Sequence, residues 1–155
     1  MLLQDKIAVV TGASRGIGRA TAKALAREGA MVIVNYNGSK ERADEVVSEI
    51  EKDGGKAKAI QCNVSDFDQA KEFFGGVVKE YGRIDILVNN AGIDTQPSAP
   101  PEVSGPFENF PEEVFREVVD VNLVGTFLTC QAVGARMVKA GKPGSIINVG
   151  SIYGM

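Results

Sequence analysis

Short β-branched runs alternate with longer amphipathic stretches along the whole chain, and this rhythm restricts the fold more than any other feature. Ile7, Ala8, Val9 and Val10 form a continuous apolar run ending in Thr11-Gly12, the pattern of a strand buried on both faces. Ile17, Ala20, Ala24 and Leu25 then recur at helical spacing over residues 16–28, closed by Gly29. A second strand is expected over 31–34. Ser39 stands where it can cap a helix running to about Asp53, with Ala43, Val46, Val47 and Ile50 on one face. The cycle repeats with a weak strand over 57–61 and a helix capped by Asp66 and stopped by Gly82. A strong strand over 84–88 follows, ending at Asn89-Asn90-Ala91-Gly92. After a long proline-bearing connection over 93–111, a helix from about Glu112 leads into a longer one over 123–140. Gly144 introduces a fifth strand over 145–149.

Strands separated by helices pair in parallel through right-handed crossovers. The expected fold class is therefore α/β: a three-layer doubly wound parallel sheet, Rossmann-like, in the strand order 3-2-1-4-5. The 155 residues suit one domain spanning 1–155. In such sheets a ligand binds at the carboxyl ends of the strands, where the strand order reverses. Here that place lies between the first and fourth strands, so residues 11–18 and 89–92 frame the expected site.

Several chemistries are excluded by composition. The chain has no histidine, which removes Ser-His-Asp and Cys-His catalysis, His-ligated metals and histidine pH switching. Cys62 and Cys130 match no metal or redox spacing and are expected to be buried small hydrophobes in a reducing compartment. A net charge of −3 offers no basic patch for nucleic acid or an anionic membrane. No stretch holds the roughly 18 unbroken apolar residues of a membrane span. Residues 1–6 do not read as a signal peptide, so a cytoplasmic protein is expected.

The segment Thr11-Gly12-Ala13-Ser14-Arg15-Gly16-Ile17-Gly18 joins a strand to a helix. Its glycines suit positive φ and close backbone approach, and the helix aims unpaired N–H groups at the loop, which suits a pyrophosphate. The spacing is Gly-x-x-x-Gly-x-Gly rather than the commoner Gly-x-Gly-x-x-Gly, and a tight turn without a ligand is the alternative.

This loop together with Asn89-Asn90-Ala91-Gly92, Val121-Asn122 and Ser145-Ile146-Ile147-Asn148-Val149-Gly150-Ser151 resembles the short-chain dehydrogenase/reductase family. The likeness runs over essentially the whole chain and extends to members of the 3-oxoacyl-carrier-protein reductase and sugar or polyol dehydrogenase types. It implies that Gly12, Ser14, Arg15, Gly16, Ile17 and Gly18 hold the pyrophosphate and adenosine ribose. It implies that Asn63 and Val64 hold the adenine, although many members have Asp where this chain has Asn63. Asn90, Ala91 and Gly92 correspond to the nicotinamide ribose side, with Asn89 bracing the sheet.

The resemblance implies NADP, or else NAD, as the cofactor. A carboxylate at the end of the second strand usually accepts from a free 2′-hydroxyl, but this chain has Asn35-Tyr36-Asn37 there. Arg15 and Lys40 lie nearby, and a guanidinium suits a 2′-phosphate; both could instead be solvated surface charges. No metal is expected.

The resemblance implies hydride transfer between the nicotinamide and a small carbonyl or alcohol substrate. Ser151 matches the serine that hydrogen-bonds the substrate oxygen, and Asn122 the asparagine that supports the catalytic lysine through water. A turn hydroxyl and a helix-end amide are the plainer readings of these two. The family's tyrosine, with a lysine four residues later, finds no match. Tyr153 lies too early, and its lysine would fall beyond Met155. The chain therefore reads as the N-terminal part of a longer enzyme, without the family's last two strands and inactive as a fragment. Ser151-Ile152-Tyr153-Gly154 hints at a sugar-type substrate. A non-catalytic dinucleotide-binding module is the alternative function. Apolar Phe127, Val133, Met137 and Val138 cover more than one face of the long helix, which predicts a homo-oligomer, dimer or tetramer.

Overall fold

The computed structural model describes residues 1–94 and 101–151. Five parallel strands form one sheet: β1 (Ile7–Val10), β2 (Met31–Tyr36), β3 (Lys56–Gln61), β4 (Ile86–Asn89) and β5 (Ser145–Asn148). Their order across the sheet is β3-β2-β1-β4-β5, as the alternation predicts. The helices are α1 (Gly16–Arg27), α2 (Lys40–Lys52), α3 (Phe67–Tyr81), α4 (Glu112–Val119) and α5 (Gly125–Ala140).

Side chains alternate across the central strands and so feed two cores. Ala8, Val10, Val32 and Val34 pack on one face against Ala22 and Ala26 of α1 and Val46 and Ile50 of α2. Val9, Ile33 and Leu87 pack on the other against Phe73, Phe74 and Val77 of α3 and Val133 of α5. Register is fixed by Val9 opposite Ile33 and Leu87. With both faces covered, a continuous apolar run is what β1 requires.

Helix ends follow local chemistry in part. The Asp66 carboxylate accepts from the Gln69 N–H at 2.9 Å, and Gly82 ends α3 with φ of 81°. Ser39 precedes α2 as expected, but its side chain makes no capping bond. Instead Lys40 pairs with Asp44 one turn on, at 2.5 Å.

Several elements depart from expectation. β2 runs two residues further, to Tyr36, because Asn35 is buried and hydrogen-bonded to β3 and the loop beyond it. β4 begins at Ile86 rather than 84, since Asp85 is drawn into the start of β1. Its buried carboxylate accepts from the Ile7 N–H at 2.8 Å and from Arg83 Nε at 2.9 Å. The connection after β4 carries 3₁₀ turns at Pro101–Val103 and Phe107–Asn109; residues 95–100, with Pro97 and Pro100, lie outside the described residues. Finally, α4 and α5 are one helix of 29 residues, joined through a π turn at Asp120–Val124.

That continuous helix adds to one expectation and corrects another. It is long and apolar enough to cross a membrane, with a window of mean hydropathy 1.4. The unbroken-run criterion misses it because threonine and glycine interrupt the apolar residues. Here it covers the sheet instead, with Thr129 and Val133 buried. Cys130 on the same helix is partly exposed rather than buried, while Cys62 is buried. Beside it β5 is exposed throughout, Ile146 and Ile147 included.

Candidate functional site

The glycine loop leaves β1 where the neighbouring strand β4 also ends, and polar side chains replace the ladder bonds lost there. Thr11 Oγ1 accepts from the N–H groups of both Asn90 and Ala91, each at 3.0 Å. Asn90 Nδ2 in return donates to the carbonyls of Thr11 and Gly12, each at 3.0 Å. On the other side, buried Asn35 takes the Gly12 N–H on Oδ1 at 3.3 Å and donates from Nδ2 to the Cys62 carbonyl at 3.1 Å. Its own carbonyl accepts from Ala13 N–H at 2.8 Å. The ends of β1, β2, β3 and β4 are thereby tied together.

Two glycines permit this closeness. Gly12 has φ of +61°, and a Cβ there would come within 2.8 Å of Ala91 Cα. Gly18 lies buried in the first turn of α1, where a Cβ would come within 2.4 Å of Asn90 Nδ2. Gly18 therefore shapes the loop and is not among the residues that line the cleft.

A cleft of about 700 Å³ opens above these strand ends. Ser14, Arg15, Gly16 and Ile17 line it on the loop side. At Gly16, φ is +53° and a Cβ would meet no atom within 4 Å, so the backbone there faces open space. Arg15 holds the N-cap position of α1 in extended conformation with no side-chain cap bond. The first-turn N–H groups are thus available to an anion. Arg15 is exposed and makes no ion pair among the described residues.

Tyr36 and Asn37 line the cleft at the end of β2, and Asn63 and Val64 at the end of β3. Asn37 accepts from Gln61 Nε2 through its side-chain oxygen at 3.2 Å. Lys40 is not a lining residue; its hydrogen bond and ion pair with Asp44 hold its amine above the ordinary lysine range. Burial, reinforced by Asp66, pushes the Cys62 thiol up to about 11, so at neutral pH it is an uncharged wall atom.

On the far side, Asn90, Ala91 and Gly92 line the cleft with Ile93. Asn122 sits in the π turn, and both ends of its amide bond the Ile93 backbone, Oδ1 accepting at 2.8 Å and Nδ2 donating at 2.9 Å. Neither Asn122 nor exposed Ser151 lines the cleft itself. Asn89 braces the sheet as expected: Nδ2 donates to Asn148 Oδ1 at 2.9 Å, and Oδ1 accepts from Thr129 Oγ1 at 2.6 Å. Tyr153 lies outside the described residues.

The family profile described as short chain dehydrogenase matches residues 6–155. The chain belongs to the short-chain dehydrogenase family. It is 47% identical over 150 residues to an uncharacterized oxidoreductase of Methylorubrum extorquens, covering 97% of this chain and 56% of that protein. It is 44% identical over 153 residues to a 3-oxoacyl-[acyl-carrier-protein] reductase of Synechocystis sp., covering 99% and 58%. The chain thus spans a little over half the length of these curated relatives. A metagenomic short-chain oxidoreductase in complex with NADP superposes with a TM-score of 0.88 at 36% identity, covering 98% of this chain and 65% of that one. A short chain dehydrogenase from Burkholderia cenocepacia J2315, also in complex with NADP, gives 0.85 at 37% identity, covering 98% and 58%.

The one Tyr-x-x-x-Lys spacing in this short-chain dehydrogenase sequence is Tyr36 and Lys40. The two lie on different elements, β2 and α2, and Lys40 is turned to Asp44. Sequence reasoning also missed Asn35 as a clamp and Glu117 and Val121 as lining residues. The first was visible as a polar residue in an apolar strand. The other two carry no local signal.

Proposed function

We propose that this chain binds NADP(H) in the cleft and serves hydride exchange with a small carbonyl or alcohol substrate. When bound, the nicotinamide supplies or takes up the hydride. The backbone of Ser14, Arg15, Gly16 and Ile17, opening the dipole end of α1, holds the pyrophosphate. The open space at Gly16 and the uncapped first turn fit that group. Asn63 and Val64 hold the adenine, and Ala91 and Gly92 the nicotinamide side. Asn90 acts by clamping the loop rather than by reaching the ligand. Asn122 fixes Ile93 and so the wall beside the nicotinamide, and the Ser151 hydroxyl orients the substrate oxygen.

The observation that carries NADP over NAD is that Arg15, with no ion pair among the described residues, lines the same cleft as a β2 end that has no carboxylate. The NADP complexes of the two solved relatives support the same choice, and the reductase name of the Synechocystis relative supports carbonyl chemistry. We also propose self-association through the outer face of α4 and α5, where Leu123, Phe127 and Val138 are exposed.

The test is Arg15→Glu, with NADPH and NADH titrated by cofactor fluorescence. A charge-assisted contact contributes about 1.5–3 kcal/mol, so NADPH affinity should fall at least about ten-fold more than NADH affinity. Equal losses overturn the assignment.

A further inference from the structure

Gly125, Thr129 and Val133 form a stripe along α5, and all three are buried. A valine at 129 would have nearly the same shape as threonine and would take no hydroxyl out of water. The hydroxyl that is buried there reaches beyond its own helix. Thr129 Oγ1 donates to Asn89 Oδ1 at 2.6 Å, with the Thr126 carbonyl 2.9 Å away. Asn89 is buried as well, and both ends of its amide are engaged. Its Nδ2 donates to Asn148 Oδ1 at 2.9 Å and to Cys130 Sγ at 3.2 Å.

Asn89 and Asn148 are the last paired residues of β4 and β5, and the Val149 N–H donates to the Asn89 carbonyl at 3.0 Å. Past this junction the two strands serve different parts of the molecule. β4 leads through Asn90 to Ala91 and Gly92, which line the cleft, and β5 leads through Gly150 to Ser151. One buried amide therefore joins α5, β4 and β5 just before the chain enters both segments.

We propose that Thr129 is a positioning residue for hydride exchange. Through Asn89, its hydroxyl sets where the end of β4 stands against the end of β5, and so where the nicotinamide side of the cleft stands against Ser151. The proposal rests on the cofactor reading above. Without the hydroxyl, Asn89 Oδ1 is left buried without its donor, and the amide gains by turning or shifting toward another partner. Either movement disturbs the bond to Asn148 and the backbone that continues into Asn90, Ala91 and Gly92. The adenosine end, formed at β2 and β3, has no hydrogen bond to this junction among the described residues.

The experiment titrates NADPH by fluorescence, and 2′,5′-ADP (its adenosine half) by calorimetry, into the wild type, Thr129→Val, Thr129→Ser and Asn148→Ala. A general loss of stability weakens both ligands alike, whereas a displaced nicotinamide side weakens NADPH alone. Thr129→Val should lower NADPH affinity by about three-fold or more, the range of a residue acting through others. Its affinity for 2′,5′-ADP should stay at the wild-type value, and the emission of bound NADPH should move toward that of the free cofactor. Thr129→Ser, which keeps the hydroxyl, should restore both NADPH readouts. Asn148→Ala should reproduce the Thr129→Val pattern, and because Asn148 is exposed it decides the matter by itself if Thr129→Val does not fold. An unchanged ratio of the two affinities in the folded variants overturns the role of Thr129 alone. Failure of the wild type to bind either ligand overturns the cofactor reading and this inference with it.

Discussion

Replacing Gly18 with alanine sets two effects against each other. Gly18 lies within α1, so an alanine there should help the helix by about 1 kcal/mol on propensity alone. The site allows no such gain. The new methyl would stand 2.4 Å from Asn90 Nδ2, 2.5 Å from the Gly12 carbonyl oxygen and 3.0 Å from Ala13 Cα. Two of these neighbours are backbone and cannot swing aside. Overpacking of this kind costs about 1–3 kcal/mol. Displacing the Asn90 amide adds the loss of two hydrogen bonds, about 1 kcal/mol each. After the propensity gain, about 2–4 kcal/mol of stability should be lost. At about 2–4 °C per kcal/mol for a domain of this size, the melting temperature should fall by roughly 5–15 °C.

Circular dichroism melts of Gly18→Ala, Asn90→Ala and the double variant measure this directly. Removing the Asn90 amide relieves the 2.4 Å contact but leaves the 2.5 Å one. The double variant should therefore be less unstable than the two single losses added together. Gly16→Ala is the contrast: at φ +53° with no atom within 4 Å, it carries only left-handed strain of about 1–2 kcal/mol. A Gly18→Ala protein melting at or above the wild type would refute the packing argument.

Alkaline stability should depend on Cys62. Folding holds its thiol protonated to about 11, against an ordinary value of 9.0, so its contribution is full below pH 9 and is lost as pH rises toward 11. Cys62→Ala should lose less stability than the wild type between about pH 9 and about pH 11 in urea titrations, and parallel losses would rule the thiol out. Phe127→Glu, on the outer face of α5, should lower the oligomeric state in sedimentation velocity at micromolar concentration. A wild type that is already monomeric there removes the proposed interface.

Regions ruled by short-range chemistry were legible in the sequence. The Asp66 cap and the Gly82 stop follow from neighbouring residues, and the strand order from the alternation of strands and helices with parallel crossovers. Departures come where a distant partner wins. Asp85 would continue an apolar strand, but the β1 N–H and Arg83 claim its carboxylate, and β4 starts only at Ile86. Ser39 has the right type for a cap, yet its hydroxyl makes no capping bond, and Lys40 and Asp44 form an ion pair on the first turn beside it. The sequence shows where Gly18 stands but not that Asn90 and the Gly12 carbonyl lie against it. Glu117 is one charged residue among several on an exposed helix until the fold brings β3 and the helix to one cleft.

The polar residues at the strand ends follow from the point where the sheet reverses. There β1 and β4 diverge into connections on opposite faces, and their last N–H and carbonyl groups lose ladder partners. Left unmade, each would cost about 1–3 kcal/mol. Thr11, Asn35 and Asn90 take those groups up, and no buried side-chain polar atom among the described residues is without a partner. The same bonds set the loop position before any ligand arrives. A bound pyrophosphate then meets N–H groups that are already aimed, and little of its binding energy goes into ordering the backbone. Asn90 and Asn35 thus act on the site through the loop, which separates their role from that of Arg15. Substituting either one should weaken NADPH and NADH alike, whereas Arg15 should separate them.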